Sequence, residues 1–238
     1  ATKDINGVSF SDIEMNANLS LYDGISSVEI HKILIKSAND LISTSNPNYQ
    51  YVAARLLNME LRKEVWGCGD SPVDFLVFLQ RNVDNGVYDS LILDRWSEEE
   101  VELFAKCINH DRDDLFTYAG LQQLIDKYLV KNRSTGNIYE THRYAHVGKL
   151  RCFVDIAYMC IAMCLFETVE EVKKAYECYS TFKINLPTPI MAGVRTNIRQ
   201  FASCVLVDID DNLDAIFSSI HAVGKYTARR AGIGLNIG

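Results

Sequence analysis

The run Ser203-Cys204-Val205-Leu206-Val207-Asp208-Ile209 is mostly apolar, β-prone and free of helical period, in a chain that otherwise reads mostly as helix. It predicts a strand buried on both faces. Asp211 follows in the N-cap position of a helix that carries Leu213, Ile216, Phe217, Ile220 and Val223 along one side. Ile233 to Ile237 then opens a second strand. The order strand, helix, strand fits the first βα unit of a larger barrel attached to a helical N-terminal domain. An unfinished barrel leaves strand edges unpaired, so this end of the chain calls for a partner.

Upstream, helix signals recur. Ser26 and Glu29 have capping-box spacing and open a segment with Ile30, Ile33, Leu34, Ala38, Leu41 and Ile42 on a helical period. Asn46-Pro47 reads as a cap with a first-turn proline, leading a helix through Tyr49, Val52, Ala53, Leu56 and Leu57 to about Trp66. Ser71-Pro72 repeats the device, and Asp84-Asn85-Gly86 closes that helix in a turn. Ser97 with Glu100 caps a helix that turns Val101, Phe104, Ala105 and Ile108 inward. Tyr128-Leu129-Val130 and Ile138-Tyr139 flank Ser134-Thr135-Gly136 as a small hairpin. A long helix is predicted from Tyr144 to Phe166, another from Thr168 with Glu171 to about Tyr179, and an extended loop from Leu186 to Phe201.

Composition bounds the function classes. The 238 residues, 48% of them apolar, suffice for one large domain or two small ones, and 4 Pro with 13 Gly exclude a low-complexity chain. A net charge of -7 spread along the chain gives no electrostatic footprint for nucleic acid. No apolar run reaches the length of about 18 residues that a membrane span needs. The stretch from Cys152 to Phe166 carries Asp155 and reads as a buried core helix. No signal peptide opens the sequence, and Ala1 follows no visible Met, so a trimmed start is expected. Seven scattered cysteines (Cys68, Cys107, Cys152, Cys160, Cys164, Cys178 and Cys204) point to free thiols in a reducing cytoplasm.

Two pairs have the spacing of metal ligands: His142 with His146, and Cys160 with Cys164. No H-E-x-x-H word accompanies the first, and the second lies in an apolar helix where cysteine packs as a small core residue, so no metal is expected. Glu98-Glu99-Glu100 is an acidic first helical turn. The glycines Gly232, Gly234 and Gly238 miss the dinucleotide fingerprint by one residue.

Several words stand in one order. They are Tyr22-Asp23-Gly24-Ile25, Tyr49-Gln50-Tyr51-Val52-Ala53-Ala54-Arg55-Leu56, His110-Asp111-Arg112-Asp113, and Tyr128-Leu129-Val130-Lys131-Asn132-Arg133 with Thr135-Gly136 and Ile138-Tyr139-Glu140. Leu186-Pro187-Thr188-Pro189-Ile190-Met191, Gly193-Val194-Arg195-Thr196 and Gln200-Phe201-Ala202-Ser203-Cys204-Val205-Leu206 follow, then Arg230-Ala231-Gly232-Ile233-Gly234-Leu235-Asn236-Ile237-Gly238. Together they resemble the large (catalytic) subunit of class I ribonucleotide reductase in its bacterial or bacteriophage form, along nearly the whole chain.

The resemblance implies a mainly α fold: a partial ATP-cone-like helical region over 1–67, a helical domain over 68–201, and from 202 to 238 the first β-α-β elements of an incomplete ten-stranded α/β barrel. It implies that a thiyl radical takes a hydrogen atom from the ribose of a nucleoside diphosphate, after which a cysteine pair delivers two electrons and becomes a disulfide. Cys204 matches one member of that pair, with its partner downstream of Gly238. Thr188, Ser203 and Gly232 match substrate positions. Short hydroxyls and a position without a Cβ suit close approach to diphosphate and ribose. Asp211, Asn212 and Leu213 match the site where a deoxynucleotide effector sets specificity, the helix after them pairing with its twin in a dimer. Ser27, Glu29, His31 and Lys63 fall at nucleotide-facing positions of a module that senses ATP and dATP.

Each of these residues also has a plainer account. Cys204 fits a buried small apolar residue, Thr188 a Pro-Thr-Pro turn, Gly232 a helix end and Asp211 an N-cap. The implied partners are a complementary C-terminal large-subunit fragment, a radical-supplying small subunit, a second large subunit, and thioredoxin or glutaredoxin acting through the missing part. A naturally split gene product and a truncated chain both fit, and either is expected to be inactive alone. The rival from another class is a non-catalytic nucleotide-binding or assembly module derived from the same fold.

Overall fold

The computed structural model describes residues 1–66, 74–130, 154–197, 201–229 and 231–237, with side chains at 62–66, 110 and 154 outside that description. Among these residues the chain is mainly helical, with one two-stranded parallel sheet near its end.

Helix α1 (Phe10–Asn18) starts where the Ser9 hydroxyl accepts the Asp12 amide, and α2 (Ser27–Asp40) carries the complete Ser26/Glu29 capping box. Such caps stabilise by about 1 kcal/mol each. Helix α3 (Tyr49–Trp66) is entered through a turn at Pro47 and Asn48, whose carbonyls accept the amides of Gln50 and Tyr51. Pro47 therefore precedes the helix instead of opening it. Tyr49 joins α3 to the first segment: its hydroxyl accepts the Ser9 amide at 3.0 Å and donates to Asp12 at 2.9 Å. Arg55 reaches the carbonyls of Ala1 and Lys3 at 3.1 and 2.6 Å.

Ser71-Pro72 lies outside the described residues, and α4 (Phe75–Asp84) takes Asp74 as its N-cap. The turn after it works as the sequence implied: Gly86 adopts φ +66, a left-handed conformation that glycine tolerates, and its amide reaches the Val83 carbonyl at 2.8 Å. The short α5 (Leu91–Asp94) leads to α6 (Glu98–Cys107), whose Ser97/Glu100 capping box is complete. Between them, Trp96 donates to the Met163 carbonyl at 3.0 Å and Arg95 to those of Cys164 and Phe166 at 3.2 Å each. Those carbonyls lie at and just past the C-terminal end of α8 (Val154–Leu165), the described part of the predicted long helix. Helix α9 (Val169–Ser180), capped by Thr168, packs on α8.

Two predictions near Tyr128 and Thr188 need correction. Tyr128 ends a π turn, Leu124–Tyr128, that continues α7 (Tyr118–Gln123), so it is not the start of a hairpin strand; the rest of that predicted hairpin lies outside the described residues. The segment read as an extended loop holds α10 (Thr188–Gly193), because Pro189 sits in the first turn, where a missing amide hydrogen costs nothing.

One apolar core runs through this helical body from Ile13 to Val194. After it come β1 (Cys204–Ile209), α11 (Leu213–Ala228) and β2 (Gly232–Ile237). The strands are parallel, with Cys204 opposite Gly232 and Ile209 opposite Ile237. Both pack against α11. Burial alternates along β1, so the strand predicted to be buried on both faces is covered on one only. Val205, Val207 and Ile209 lie on the half-buried side, and Leu206 on the other is 84% exposed. Most of the α11 row is turned outward as well: Leu213, Phe217 and Ile220 are more than half exposed, while Ala215, Ser219, Ala222, Val223 and Tyr226 are the less exposed positions.

Candidate functional site

The open face of the strand pair gathers two of the predicted residues, Cys204 and Gly232, with Ser203 just before β1. In a parallel pair, residues in register share a face. Cys204 with Gly232, Leu206 with Gly234 and Asp208 with Asn236 therefore lie together, on the side away from Val205, Val207 and Ile209. The Cys204 thiol is free and exposed in this chain. The Ser203 hydroxyl reaches its sulfur at 3.8 Å.

Gly232 has a local reason to be glycine. Its amide donates to the Ser203 carbonyl at 2.7 Å, and a Cβ there would stand 3.3 Å from the same oxygen. Gly234 lies under Leu206, whose Cδ2 would sit 2.7 Å from an added Cβ. Further along, the Asn236 amide donates to the Asp208 carboxylate at 3.0 Å and ties the strands across this face.

Thr188 sits elsewhere in the chain, exposed as the first residue of α10. Its hydroxyl meets the Tyr128 hydroxyl at 3.2 Å, and α10 packs on the π turn that carries Tyr128. Beneath them Arg195 is fully buried: its guanidinium donates to the Met191 carbonyl at 2.5 Å and to the Tyr128 carbonyl at 2.9 Å. A buried cation is tolerated where its N–H groups find acceptors, and here those acceptors are the two segments that frame Thr188.

At the start of α11 the predicted cap shifts by one residue. Asn212, not Asp211, is the N-cap; its side-chain oxygen accepts the Ala215 amide at 2.8 Å. Asp211 lies just outside the helix, exposed, and Leu213 is 71% exposed in its first turn.

The N-terminal assignments divide. Ser27 is exposed at the first position of α2. The Lys63 side chain lies outside the described residues. His31, expected to face a nucleotide, is instead buried between α2 and α3, and its Nε2 donates to the Leu56 carbonyl at 2.8 Å. Glu29 is held below the usual carboxylate range by the Ser26 hydroxyl and amide, so its carboxylate serves the cap.

Among the described residues no cluster of three metal-ligating side chains occurs, and no helix is long and apolar enough to cross a membrane. Cys160 is buried in α8, and His142 and His146 lie outside the described residues. Tyr128, Arg195, Asp208 and Asn236 stand in the sequence without a sign of these contacts. Each acquires its task only through a residue far along the chain, which no local pattern encodes.

A mainly helical chain leading to a parallel β-α-β unit, with a free thiol and glycines on one open strand face and a hydroxyl beside the thiol, has the parts of a thiol-bearing α/β site. No family model matches the chain. Across 246 aligned positions it is 43% identical to the ribonucleoside-diphosphate reductase 1 subunit alpha of Escherichia coli K12, covering 100% of this chain and 30% of that protein. It is also 43% identical to the ribonucleoside-diphosphate reductase subunit alpha of Haemophilus influenzae, with 100% and 31% covered. With the subunit alpha of Enterobacteria phage T4 the identity is 41%, over 98% of this chain and 30% of the phage protein. The chain belongs to the ribonucleoside-diphosphate reductase alpha-subunit family, and it spans about 30% of the length of these relatives.

Proposed function

We propose that this chain supplies one electron-donating thiol and part of the substrate cradle of a ribonucleoside-diphosphate reductase. It works once joined to the rest of the large subunit and to a radical-supplying small subunit. Overall, a ribonucleoside diphosphate and two thiols give a deoxyribonucleoside diphosphate, a disulfide and water: the C2′–O bond breaks, an S–S bond forms, and two electrons pass from sulfur to carbon. Cys204 is one of the two sulfurs, and the second comes from outside this chain. The reading is supported by the exposed Cys204 thiol on the same open strand face as Gly232, beside the Ser203 hydroxyl. A reductant must reach the 2′ carbon, and a disulfide forms only when the two sulfurs come within about 2.05 Å. A thiol packed in a core could do neither.

The rest of the site follows the same reading. Thr188 and Ser203 bind the diphosphate and ribose side, and Gly232 lets backbone come close. Asp211 accepts from the sugar hydroxyl of a deoxynucleotide effector, Leu213 packs against it, and Asn212 holds the helix start in shape. Ser27 and Lys63 belong to a partial ATP-cone that answers to ATP and dATP, with His31 holding α2 to α3. The strand pair is the start of the ten-stranded barrel. Helix α11 pairs with its twin in a large-subunit dimer, and thioredoxin or glutaredoxin renews the thiols through the remainder of the protein.

Cys204→Ser tests the central claim. In the assembled reductase, this variant should lose multiple-turnover CDP reduction while still binding CDP. Normal turnover by the variant removes Cys204 from the reaction.

A further inference from the structure

The hydroxyl of Thr188 is not isolated. The Gln123 side-chain amide donates to the Tyr128 hydroxyl oxygen at 3.2 Å, and that hydroxyl lies 3.2 Å from the Thr188 Oγ1. Either hydroxyl can supply the hydrogen between them; with the Tyr128 oxygen already accepting from Gln123, the phenol is free to donate to Thr188 Oγ1. The Thr188 hydrogen is then the one left over, on an exposed side chain. In that arrangement the hydrogen bonds run from Gln123 through Tyr128 to Thr188 and outward.

Two features build this relay. In an α-helix, residues five apart point about 140° away from each other. The π turn at Leu124–Tyr128, closed by the Leu129 amide on the Leu124 carbonyl at 3.0 Å, brings Gln123 and Tyr128 onto one side. From below, the buried Arg195 guanidinium holds the Tyr128 carbonyl and the Met191 carbonyl of α10. The phenol and the threonine are therefore fixed relative to one another at both backbone and side-chain level.

We infer that Tyr128 is a positioning residue for Thr188, orienting its hydroxyl as a hydrogen-bond donor toward an anionic oxygen of the substrate diphosphate. This rests on the proposal that Thr188 touches the substrate. A phosphate oxygen only accepts, so a threonine hydroxyl serves it only with its hydrogen outward. Tyr128 itself stays behind Thr188 and acts through it.

Steady-state kinetics of the assembled reductase with CDP tests both layers. Thr188→Val should raise the CDP KM roughly ten-fold, and Tyr128→Phe roughly three- to ten-fold with kcat changed less than about two-fold, as expected for lost ground-state binding. The double variant should match Thr188→Val alone, because the phenol has nothing left to orient. Gln123→Leu, on the surface, is a second variant that leaves the fold alone: KM should rise with kcat unchanged, and the rise should vanish on the Thr188→Val background. If Thr188→Val raises KM and Tyr128→Phe does not, the positioning role is overturned and the substrate role of Thr188 stands. If the two substitutions multiply, Tyr128 acts by another route and the inference is likewise overturned. An unchanged KM in Thr188→Val overturns the substrate role itself.

Discussion

Asp155 is the residue whose environment most contradicts its chemistry. It is fully buried in α8, and neither carboxylate oxygen has a hydrogen-bond partner. Burial raises its pKa to about 7, although the Arg112 charge and the Tyr176 hydroxyl pull the other way. Around it, Arg112 is held by Ser180 and Glu177 at 2.6 Å each and stands over the Tyr176 ring. A carboxyl whose folded pKa lies above its unfolded value favours folding most below the unfolded value, and that contribution drains away as pH rises through the folded one. The chain should therefore lose stability between about pH 4 and pH 7 on account of this group. Asp155→Asn should flatten that slope and raise the thermal midpoint at pH 8, as read by circular dichroism; a steeper slope in the variant would contradict the assignment. The sequence marked Asp155 as the one charge in an apolar helix and so placed it in the core. What faces it there, Arg112 and Tyr176, comes from distant segments that no local pattern connects.

At the scale of single elements, the chain announces its helix starts well and its short or irregular pieces poorly. Ser26 with Glu29, Ser97 with Glu100 and Thr168 before Glu171 are caps whose partners lie within one turn, so the words alone carry the bonds. Helix α10 escaped because two prolines look like a loop until one sees that Pro189 occupies a first turn. The π turn escaped because an extra residue in a helix leaves no compositional trace. The start of α11 shows the resolution of sequence reading: Asp211 and Asn212 can both cap, and only geometry chooses. Asn212→Ala should cost about 1 kcal/mol of stability, measured by urea unfolding, whereas Asp211→Ala should cost little. The reverse order would move the cap back to Asp211. The geometry gives the cap to Asn212 and leaves Asp211 outside the helix.

For the whole molecule, composition and word order were enough to foresee a helical body followed by strand, helix, strand, since those depend on periodicity and capping. They did not foresee how much apolar surface this chain leaves uncovered. Leu206 is 84% exposed on β1, Ile237 75% on β2, and Leu213, Phe217 and Ile220 between 61% and 71% on α11. Burial depends on what packs against an element, and that information is not in the element. Phe217→Glu should abolish concentration-dependent association in sedimentation velocity if the outward face of α11 pairs with a second copy; unchanged association would place the contact elsewhere. The helical body has a different lesson. Its core is continuous from Ile13 to Val194, and Arg55, Tyr49 and Ser9 stitch the first residues to α3. A protein engineer who trims the chain near residue 67 to isolate the front helices would slice through shared packing and expose its inside. A cut past Thr196 would instead keep Arg195 and the packing it closes.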